Sequence, residues 1–296
     1  MKNQTKFDLA LLGHYTKDTI VLGKDEKTVD GGAVLYGGNV AARMGLRTAI
    51  ITRMAQQDSR VLEQFRGLSV HIFVRETAKS TALKLVYPSS NLDERIIYLV
   101  SFAEPFTPEE IEDVQASTFH VAASVRGEVP YPIVRSLKDK ADRVSLDVQG
   151  FVRINLNGKL TYDVWREGHE VLKHVDVVKA DLVEATVMTG KSDKREAAEA
   201  LAALGPSEVV ITHNEGVLVY AENRFYEASF LPKELRGRSG RGDTCISSYL
   251  AKRLTAPPAE ATVWAAALTS LKLENEGPFR REIKEVAEFI RRKYPT

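Results

Sequence analysis

Short apolar runs recur along the chain and alternate with segments of helical character. The runs are bounded by polar residues or glycine and lie at residues 7–12, 48–52, 118–122, 144–146, 175–178 and 209–212. Runs of this length predict buried strands. Apolar or alanine positions at helical spacing, two of them followed by glycine stops, predict helices at residues 39–45, 130–141 and 194–204. Strands that alternate with helices predict a doubly wound α/β fold, a mainly parallel sheet flanked by helices.

Two stretches break this alternation. Residues 20–29 and residues 70–100 contain strand-like runs separated by polar turns, with no helical segment between them. We expect antiparallel hairpins that form a small β-sheet outside the main one. Such a sheet can act as a lid over the carboxyl ends of the parallel strands, where ligands of these sheets bind. The sequence therefore predicts one domain over residues 1–296, with lid strands from about 14–30 and 70–100.

Composition narrows the class of partner. The 296 residues are 44% hydrophobic, which is enough for a large core, and 41 Lys and Arg balance 40 Asp and Glu. A chain without a strong field of one sign does not favour nucleic acid or an anionic membrane, so an anionic ligand must meet local positive groups. Cys245 is the only cysteine, and no long apolar run follows the N-terminus. These features predict a soluble cytoplasmic protein that binds a small molecule.

A glycine-rich segment carries the strongest chemical signal. Ser-Gly-Arg-Gly-Asp-Thr-Cys at residues 239–245 leads directly into a predicted helix at residues 246–254. Backbone N–H groups at a helix N-terminus bind anions, and Asp243 in the first turn can take a proton from a hydroxyl during phosphoryl transfer. An ordinary glycine loop with Asp243 as a helix cap explains the same residues. The segment lacks the Lys-Ser or Lys-Thr of a Walker A loop, and no Gly-x-Gly-x-x-Gly follows the first strand.

Two segments together resemble the ribokinase (pfkB) superfamily of sugar and nucleoside kinases. Gly-Arg-Gly-Asp at residues 240–243 is similar to the family's Gly-Ala-Gly-Asp signature. Residues 31–45 resemble its N-terminal pattern, a diglycine, an asparagine that contacts substrate, and a helix that ends in Met-Gly. The resemblance covers nearly the whole chain. It implies a ribokinase-like fold with a small β lid, and a phosphotransferase that uses ATP and Mg²⁺.

Two further elements occur in the order that the family has them. Residues 179–184 resemble its Asn-x-x-Glu element, whose glutamate helps to hold magnesium through water, with Asp181 in place of the asparagine. Residues 212–216 resemble the Thr-x-Gly-x-x-Gly turn of the nucleotide site, one residue shorter, with Asn214 in place of the first glycine. Because asparagine tolerates positive φ better than most residues, we expect the turn to be retained.

Finer details resemble the myo-inositol kinases within the superfamily. They are the long interval between the diglycine and Asn39, residues 147–153, the Lys-Ala before Glu184, and residues 274–279. The predicted acceptor is therefore myo-inositol. Ribose, fructose, a sugar acid or a nucleoside are the alternatives. Gly237, Arg238 and Arg241 depart from the family pattern, which leaves open a nucleotide-binding homologue without activity.

The resemblance and the positions at strand ends assign roles to individual residues. Asp243 is the expected base, and the catalytic anion site is formed by Gly240, Arg241 and Gly242. The acceptor is expected to contact Asp18, Gly31, Gly32, Asn39, Asp147 and Arg153. The nucleotide is expected to contact Lys179, Thr212, Asn214, Gly216 and Arg238. Glu184 is expected to hold Mg²⁺ through water, and exposed lid strands predict a homodimer.

Overall fold

The computed structural model describes residues 6–89 and 94–294, in which strands and helices alternate. The strands are β1 (Phe7–Leu12), β2 (Thr16–Leu22), β3 (Asp25–Gly31), β4 (Thr48–Met54), β5 (Val70–Glu76), β6 (Thr81–Tyr87), β7 (Ile96–Ser101), β8 (Ala116–Val121), β9 (Ala141–Asp147), β10 (Arg153–Leu156), β11 (Lys159–Tyr162), β12 (Val177–Asp181), β13 (Glu208–Thr212), β14 (Gly216–Ala221) and β15 (Arg224–Ser229). The helices are α1 (Ala33–Arg43), α2 (Tyr131–Ser136), α3 (Gln149–Val152), α4 (Gly168–Leu172), α5 (Leu182–Thr189), α6 (Lys194–Ala202), α7 (Arg241–Arg253), α8 (Pro258–Leu273) and α9 (Ile283–Lys293). Short 3₁₀ segments lie at Gln56–Phe65, Pro108–Ile111 and Leu137–Asp139.

The larger sheet has nine strands in the order β15-β14-β13-β12-β9-β8-β1-β4-β5. The strands from β13 to β5 in this order pair in parallel, and only β14 and β15 pair antiparallel. Successive residues of β1 point into different cores, since Leu9 and Leu11 pack on one face while Ala10 and Leu12 pack on the other. Strands buried on both faces carry no polar alternation, as observed. The predicted mainly parallel sheet flanked by helices is confirmed.

The smaller sheet has six strands in the order β10-β11-β7-β6-β2-β3. Its members differ from the predicted lid at two places. The prediction that strand β5 belongs to the lid is wrong, because β5 pairs in parallel with β4 at the edge of the larger sheet. The hairpin β10–β11 belongs to the lid although its residues were not predicted there, and its turn is Asn157 (φ 51°) and Gly158 (φ 88°).

Helix α1 begins six residues earlier than the sequence predicts. It starts after Gly32, so that Gly37 and Gly38 lie inside the helix and not in a loop. A side chain at Gly38 would collide with Ile50, and one at Gly37 would collide with Ser247 of α7. These glycines therefore let α1 approach the sheet and α7 closely, which is the packing role that glycine permits. The predicted helix at 130–141 is also shorter, because α2 ends at Ser136 and Ala141 opens β9.

Within residues 6–89 and 94–294, no helix has both the length and the apolar character needed to cross a bilayer.

Candidate active site

Helix α7 presents its N-terminus to the space beneath the lid. Gly240 precedes the helix with φ 74°, a conformation that other residues rarely adopt, and a side chain there would also collide with the ring of Tyr36. The amide of Thr244 donates to Gly240 O at 2.9 Å, and the amide of Arg241 donates to Arg238 O at 3.2 Å. The next two amides of the first turn have no intrahelical acceptor, as at any helix start. They are the N–H groups best placed to bind an anion.

A cavity of about 70 Å³, here called the acceptor cavity, lies between this helix end and the lid. It brings together several residues that the sequence predicted, namely Asp18, Gly32, Arg153, Gly240 and Asp243. The remaining lining residues are Thr16, Ala33, Tyr36, Leu83, Leu85, Arg95, Ile97, Ser124, Gln149 and Ser239. The cavity thus has apolar side chains from lid strands β6 and β7, and polar or charged side chains both from lid strands β2 and β10 and from the start of α7.

Two carboxylates share this cavity. Burial raises the pKa of Asp18 to about 6, although Thr16, Arg95 and Arg153 favour its ionised form. Burial also raises the pKa of Asp243, an effect that Lys179 opposes and the nearby Asp147 reinforces. Asp243 is partly exposed to the cavity but enclosed by protein, which is why desolvation outweighs the neighbouring cations. A carboxylate with a raised pKa is a stronger base once ionised.

Behind Asp243 lies a buried network of charges. Lys179 Nζ is 2.9 Å from Asp147 Oδ2 and 3.7 Å from Glu184 Oε2, and Arg153 lies 3.6 Å from Glu184 Oε1. Burial raises the pKa of Glu184, and the surrounding carboxylates hold the pKa of Lys179 above its usual range despite burial. Asp147 is thus committed to Lys179 and does not line the acceptor cavity, where the sequence placed it.

Two other residues predicted to contact the acceptor also lie outside the cavity lining. Asn39 lies in the middle of α1 and donates to Leu35 O and to Gln64 Oε1, both at 2.9 Å. Tyr36, one turn earlier on the same helix, lines the cavity instead. Gly31 ends β3, and a side chain there would come within 2.5 Å of Asp18 Oδ2. Gly31 therefore leaves space for the Asp18 carboxylate.

The residues predicted to bind the nucleotide are only partly brought together. Gly242 faces two of them, since a β-carbon built there would be 3.1 Å from Lys179 Nζ and 4.0 Å from Thr212 Oγ1. The β13–β14 turn is retained, with His213 N donating to Gly216 O at 2.9 Å. The turn does not use a positive φ at Asn214, the conformation for which asparagine was expected to substitute for glycine.

Gly216 and Arg238 lie in two other places, and their contact with a nucleotide stays a prediction. Gly216 is the first residue of β14, where a side chain would collide with β15, so its absence of a side chain serves strand packing. Arg238 lines a second cavity of about 710 Å³, the outer cavity, between lid strands β2 and β3 and residues 276–280. Tyr36 lines both cavities and separates them.

A divalent cation would depend on Glu184. Its Oε2 accepts the amide of Asp181 at 2.7 Å, whereas the buried Oε1 has no hydrogen-bond partner, so a water of a hydrated ion could donate to it. In the part of the chain that the structure describes, no group of three or more His, Cys, Asp or Glu side chains is arranged to hold a metal directly. The residues therefore fit a magnesium ion that is bound mainly by donor phosphates and waters.

Sequence reasoning missed several residues of the acceptor cavity. Tyr36 lies in the diglycine segment and was not predicted, because that segment was expected to be a loop. Gln149 lies between the predicted residues Asp147 and Arg153, and Arg95 lies in the predicted lid. Ser124 follows β8, at the carboxyl edge of the sheet, where parallel strands deliver ligand-binding side chains.

Comparison with known structures defines the class. The chain is similar to a pyrophosphate-dependent kinase in the ribokinase family complexed with a pyrophosphate analog and myo-inositol. The two are 32% identical with a TM-score of 0.88, and the match covers 94% of this chain and 99% of the other. A pyrophosphate-dependent myo-inositol-1 kinase converted into a myo-inositol-3 kinase is 32% identical, with a TM-score of 0.87 and coverage of 97% and 99%. Arabidopsis thaliana ribokinase with ribose and ATP shares the fold, at 17% identity and a TM-score of 0.75 over 97% of this chain and 99% of the other.

Comparison of sequences gives the family. The pfkB family of carbohydrate kinases matches residues 6–280. A cytidine kinase of Thermococcus kodakarensis is 27% identical over 267 residues, which covers 86% of this chain and 92% of the relative. The chain belongs to the pfkB family of carbohydrate kinases.

Proposed function

We propose that this kinase transfers a phosphoryl group to a hydroxyl of a compact cyclic polyol, with myo-inositol as the acceptor. The observation that carries the proposal is the position of Asp243, whose carboxylate borders the acceptor cavity from the first turn of α7. There a single residue can contact the acceptor hydroxyl while the adjacent amides contact the phosphoryl group. We place this activity in one domain in a reducing cytoplasm.

The shape and polarity of the acceptor cavity support a small ring. About 70 Å³ is far below the 300–1,000 Å³ of common ligand sites, which favours a compact acceptor over a large one. Leu83, Leu85 and Ile97 can cover the C–H face of a ring, while Asp18 and Arg153 can bond its hydroxyls. The structurally similar kinase with bound myo-inositol supports the same acceptor. A nucleoside, suggested by the cytidine kinase relative, would need the lid to move outward for its base.

The proposed mechanism assigns the proton to Asp243. Its carboxylate accepts the proton of the acceptor hydroxyl as the oxygen attacks the terminal phosphorus of the donor. The bond from that phosphorus to the bridging oxygen breaks, and ADP leaves from ATP, or phosphate from pyrophosphate. The amides of Gly242 and Asp243, at the positive end of α7, stabilise the negative charge on the transferred group. Lys179 lies beside Gly242 and adds positive charge on the donor side. When magnesium is bound, it neutralises the donor phosphates, and Glu184 would hold it through water.

Two donors are consistent with these contacts. ATP is the donor that the sequence motifs predict, and pyrophosphate is the donor of the structurally similar kinases. Both present a terminal phosphoryl group joined to a second phosphate, which the α7 amides, Lys179 and Arg241 can bind. We propose that the donor is distinguished by residues beyond the second phosphate, where only ATP extends.

A donor-by-acceptor matrix tests the proposal. The purified protein is incubated with Mg²⁺ and either ATP or pyrophosphate, with myo-inositol, its stereoisomers, ribose, fructose, a sugar acid and cytidine in turn. Phosphorus NMR then identifies any phosphate ester and the carbon that bears it. We expect a myo-inositol monophosphate as the main product.

The other outcomes are equally specific. A main product from cytidine would replace the acceptor class and retain the mechanism. No ester from any pair, with both donors still bound in calorimetry, would make the protein a nucleotide-binding or pyrophosphate-binding homologue without kinase activity. Mg²⁺ omission and boiled protein serve as controls for contaminating chemistry.

A further inference from the structure

A lysine that no catalytic role requires is buried next to residues 236–240, the segment that leads into α7 and is here called the anion loop. Lys272 lies in the last turn of α8 and is only 2% exposed. Its ammonium donates to Gly237 O at 2.6 Å and also to Ser239 O, and it lies 5.3 Å from the centre of the Tyr36 ring. Burying an ammonium is costly unless hydrogen bonds replace its water. Two carbonyl oxygens and an aromatic face provide that replacement here.

The two carbonyls belong to the loop that sets the geometry of α7. Gly237 and Ser239 lie three residues and one residue before Gly240, whose left-handed conformation turns the chain into the helix. Two carbonyl oxygens that point at one spot repel each other, so this loop shape needs a positive charge between them. The ammonium of Lys272 supplies it. The neighbouring residue Leu273 adds a second attachment, because its carbonyl accepts the amides of Arg236 and Gly237 at 2.9 and 3.0 Å.

We propose that Lys272 is a positioning residue whose ammonium acts as a built-in cation, holding the Gly237 and Ser239 carbonyls and so fixing the first turn of α7 for phosphoryl transfer. This inference rests on the proposed function for its kinetic consequences. Its structural consequence, an ordered loop at residues 236–243, holds without any substrate. The effect on the reaction is transmitted through Gly240, which has the Tyr36 ring against it on the other side.

The electrostatic surroundings agree with this role. Burial lowers the pKa of Lys272 to about 8, against the opposing effects of Asp243 and Glu276, while Arg241 lowers it further. These three charged groups and the Tyr36 ring are what face the ammonium from α7, α1 and the segment after α8. The ammonium form therefore predominates below about pH 8 and is lost as the pH rises through that value.

The test removes the ammonium and then returns it in solution. Lys272→Ala leaves a hole between the two carbonyls. We expect kcat to fall about 10²-fold, the size of effect produced by small misplacement of reacting groups, with little change in the acceptor KM. Ammonium or ethylammonium should restore part of the lost kcat, whereas tetramethylammonium, which has no N–H group, should not. Hydrogen exchange of peptides covering 236–243 should accelerate in the variant and slow again with ethylammonium.

A second lysine that lines the outer cavity controls for the loss of a lysine charge. Lys27 lines the same outer cavity, is half exposed and pairs with Glu276. Lys27→Met should leave kcat and loop exchange as in the wild type. Hydrogen exchange needs no substrate, so it separates this inference from the proposed function. A wild type without kinase activity would contradict the proposed function. The difference in loop exchange between the wild type and Lys272→Ala would still decide the role of Lys272.

Three results would overturn the inference. They are unchanged loop exchange and kcat in a folded Lys272→Ala, a loss that no primary ammonium ion restores, and a loss confined to the donor KM, which would make Lys272 a donor-binding residue. If Lys272→Ala does not fold, Lys272→Met is measured in the same way. If neither folds, the wild-type pH profile decides, because kcat should fall as the pH rises through about 8, and a flat profile to pH 10 would contradict the role.

Discussion

At the scale of single residues, the candidate site depends on two enclosed carboxylates. Asp18 lies on lid strand β2 and Asp243 on α7; burial raises the pKa of both, and Asp243 also disfavours ionisation of Asp18. Such pairs divide their roles according to their surroundings. We assign the base to Asp243, because only it is adjacent to the helix amides. Asp18 then orients the acceptor by accepting hydrogen bonds from its hydroxyls.

The raised pKa of Asp18 predicts a gain of stability when its charge is removed. Since the folded pKa is about 6 against the usual 3.8, the native state binds more protons between those values. Stability therefore falls as the pH rises through this window, by up to about 3 kcal/mol. Asp18→Asn should raise Tm at pH 7 and flatten its pH dependence, while raising the acceptor KM. Calorimetry at pH 4.5 and pH 7 measures this, and a lower Tm at pH 7 in the variant would contradict it.

Gly240 should be intolerant of any side chain for two separable reasons. Gly240→Ala meets both positive φ and the Tyr36 ring, so we expect lost kcat together with reduced stability. Gly45→Ala is the matched control, because Gly45 has φ 78° and nothing within 4 Å of the added carbon. The control should cost about 1–2 kcal/mol and leave kcat unchanged. Equal kcat in the two variants would show that the Tyr36 contact does not shape the site.

At the scale of elements, α7 is held at both of its ends. Its N-terminus is fixed by the anion loop, and its C-terminus is held to β13 by a buried carboxylate. Glu208 accepts Tyr249 Oη and Arg253 Nη2, both at 2.6 Å. The distant end therefore contributes to stability without touching the acceptor cavity.

Removing the charge of Glu208 should separate stability from activity. Glu208→Gln leaves the Arg253 guanidinium without its carboxylate, which should cost about 2–4 kcal/mol in the free energy of unfolding. Urea titration measures this, with Glu170→Gln, an exposed carboxylate paired with Lys173, as a control expected to change little. We expect kcat of the folded variant to be unaltered. A fall in kcat at low temperature would show that this end also governs the site.

The elements that could be predicted from sequence are those with a continuous apolar signal. Strands β1, β4, β8, β12 and β13 are buried on both faces, so their runs are unambiguous. Strand β5 was placed in the wrong sheet because an exposed edge strand does not reveal its partner. The β10–β11 hairpin carried a usable signal, the Asn-Gly pair at residues 157 and 158, which favours a two-residue hairpin turn.

The site was predictable where a motif fixes local geometry and less so where the tertiary structure decides. The Gly-Arg-Gly-Asp segment had to begin a helix, and it does. The surroundings of Asn39 were predicted wrongly because the glycines before it were interpreted as a loop. Gly37 and Gly38 instead lie inside α1 and pack closely against Ser247 and Ile50. The pairing of Asp147 with Lys179 joins adjacent strands β9 and β12, which sequence spacing alone does not reveal.

At the scale of the whole molecule, the lid has a second face that the site does not use. Strand β7 alternates a buried Ile97, directed towards the acceptor cavity, with exposed Tyr98 and Val100 on the opposite face. Exposed apolar residues on the outer face of a small sheet favour association with another copy of the chain. We predict a homodimer with two-fold symmetry formed through this face.

Sedimentation equilibrium tests the dimer directly. The wild type should have twice the chain mass of 32.9 kDa, and Val100→Lys should shift it towards the monomer. Val183→Lys changes a similarly exposed valine on α5, outside the six lid strands, and should remain dimeric. A monomeric wild type would contradict the prediction.

The most direct test of the central claim is the turnover of Asp243→Asn on the acceptor that the wild type phosphorylates. Asparagine keeps the size and shape of the side chain but cannot accept the hydroxyl proton. Rates from phosphorus NMR should show kcat reduced by about 10²–10⁴-fold, with the acceptor KM within a few-fold of the wild type. Turnover in Asp243→Asn close to that of the wild type would contradict the assignment of Asp243 as the base.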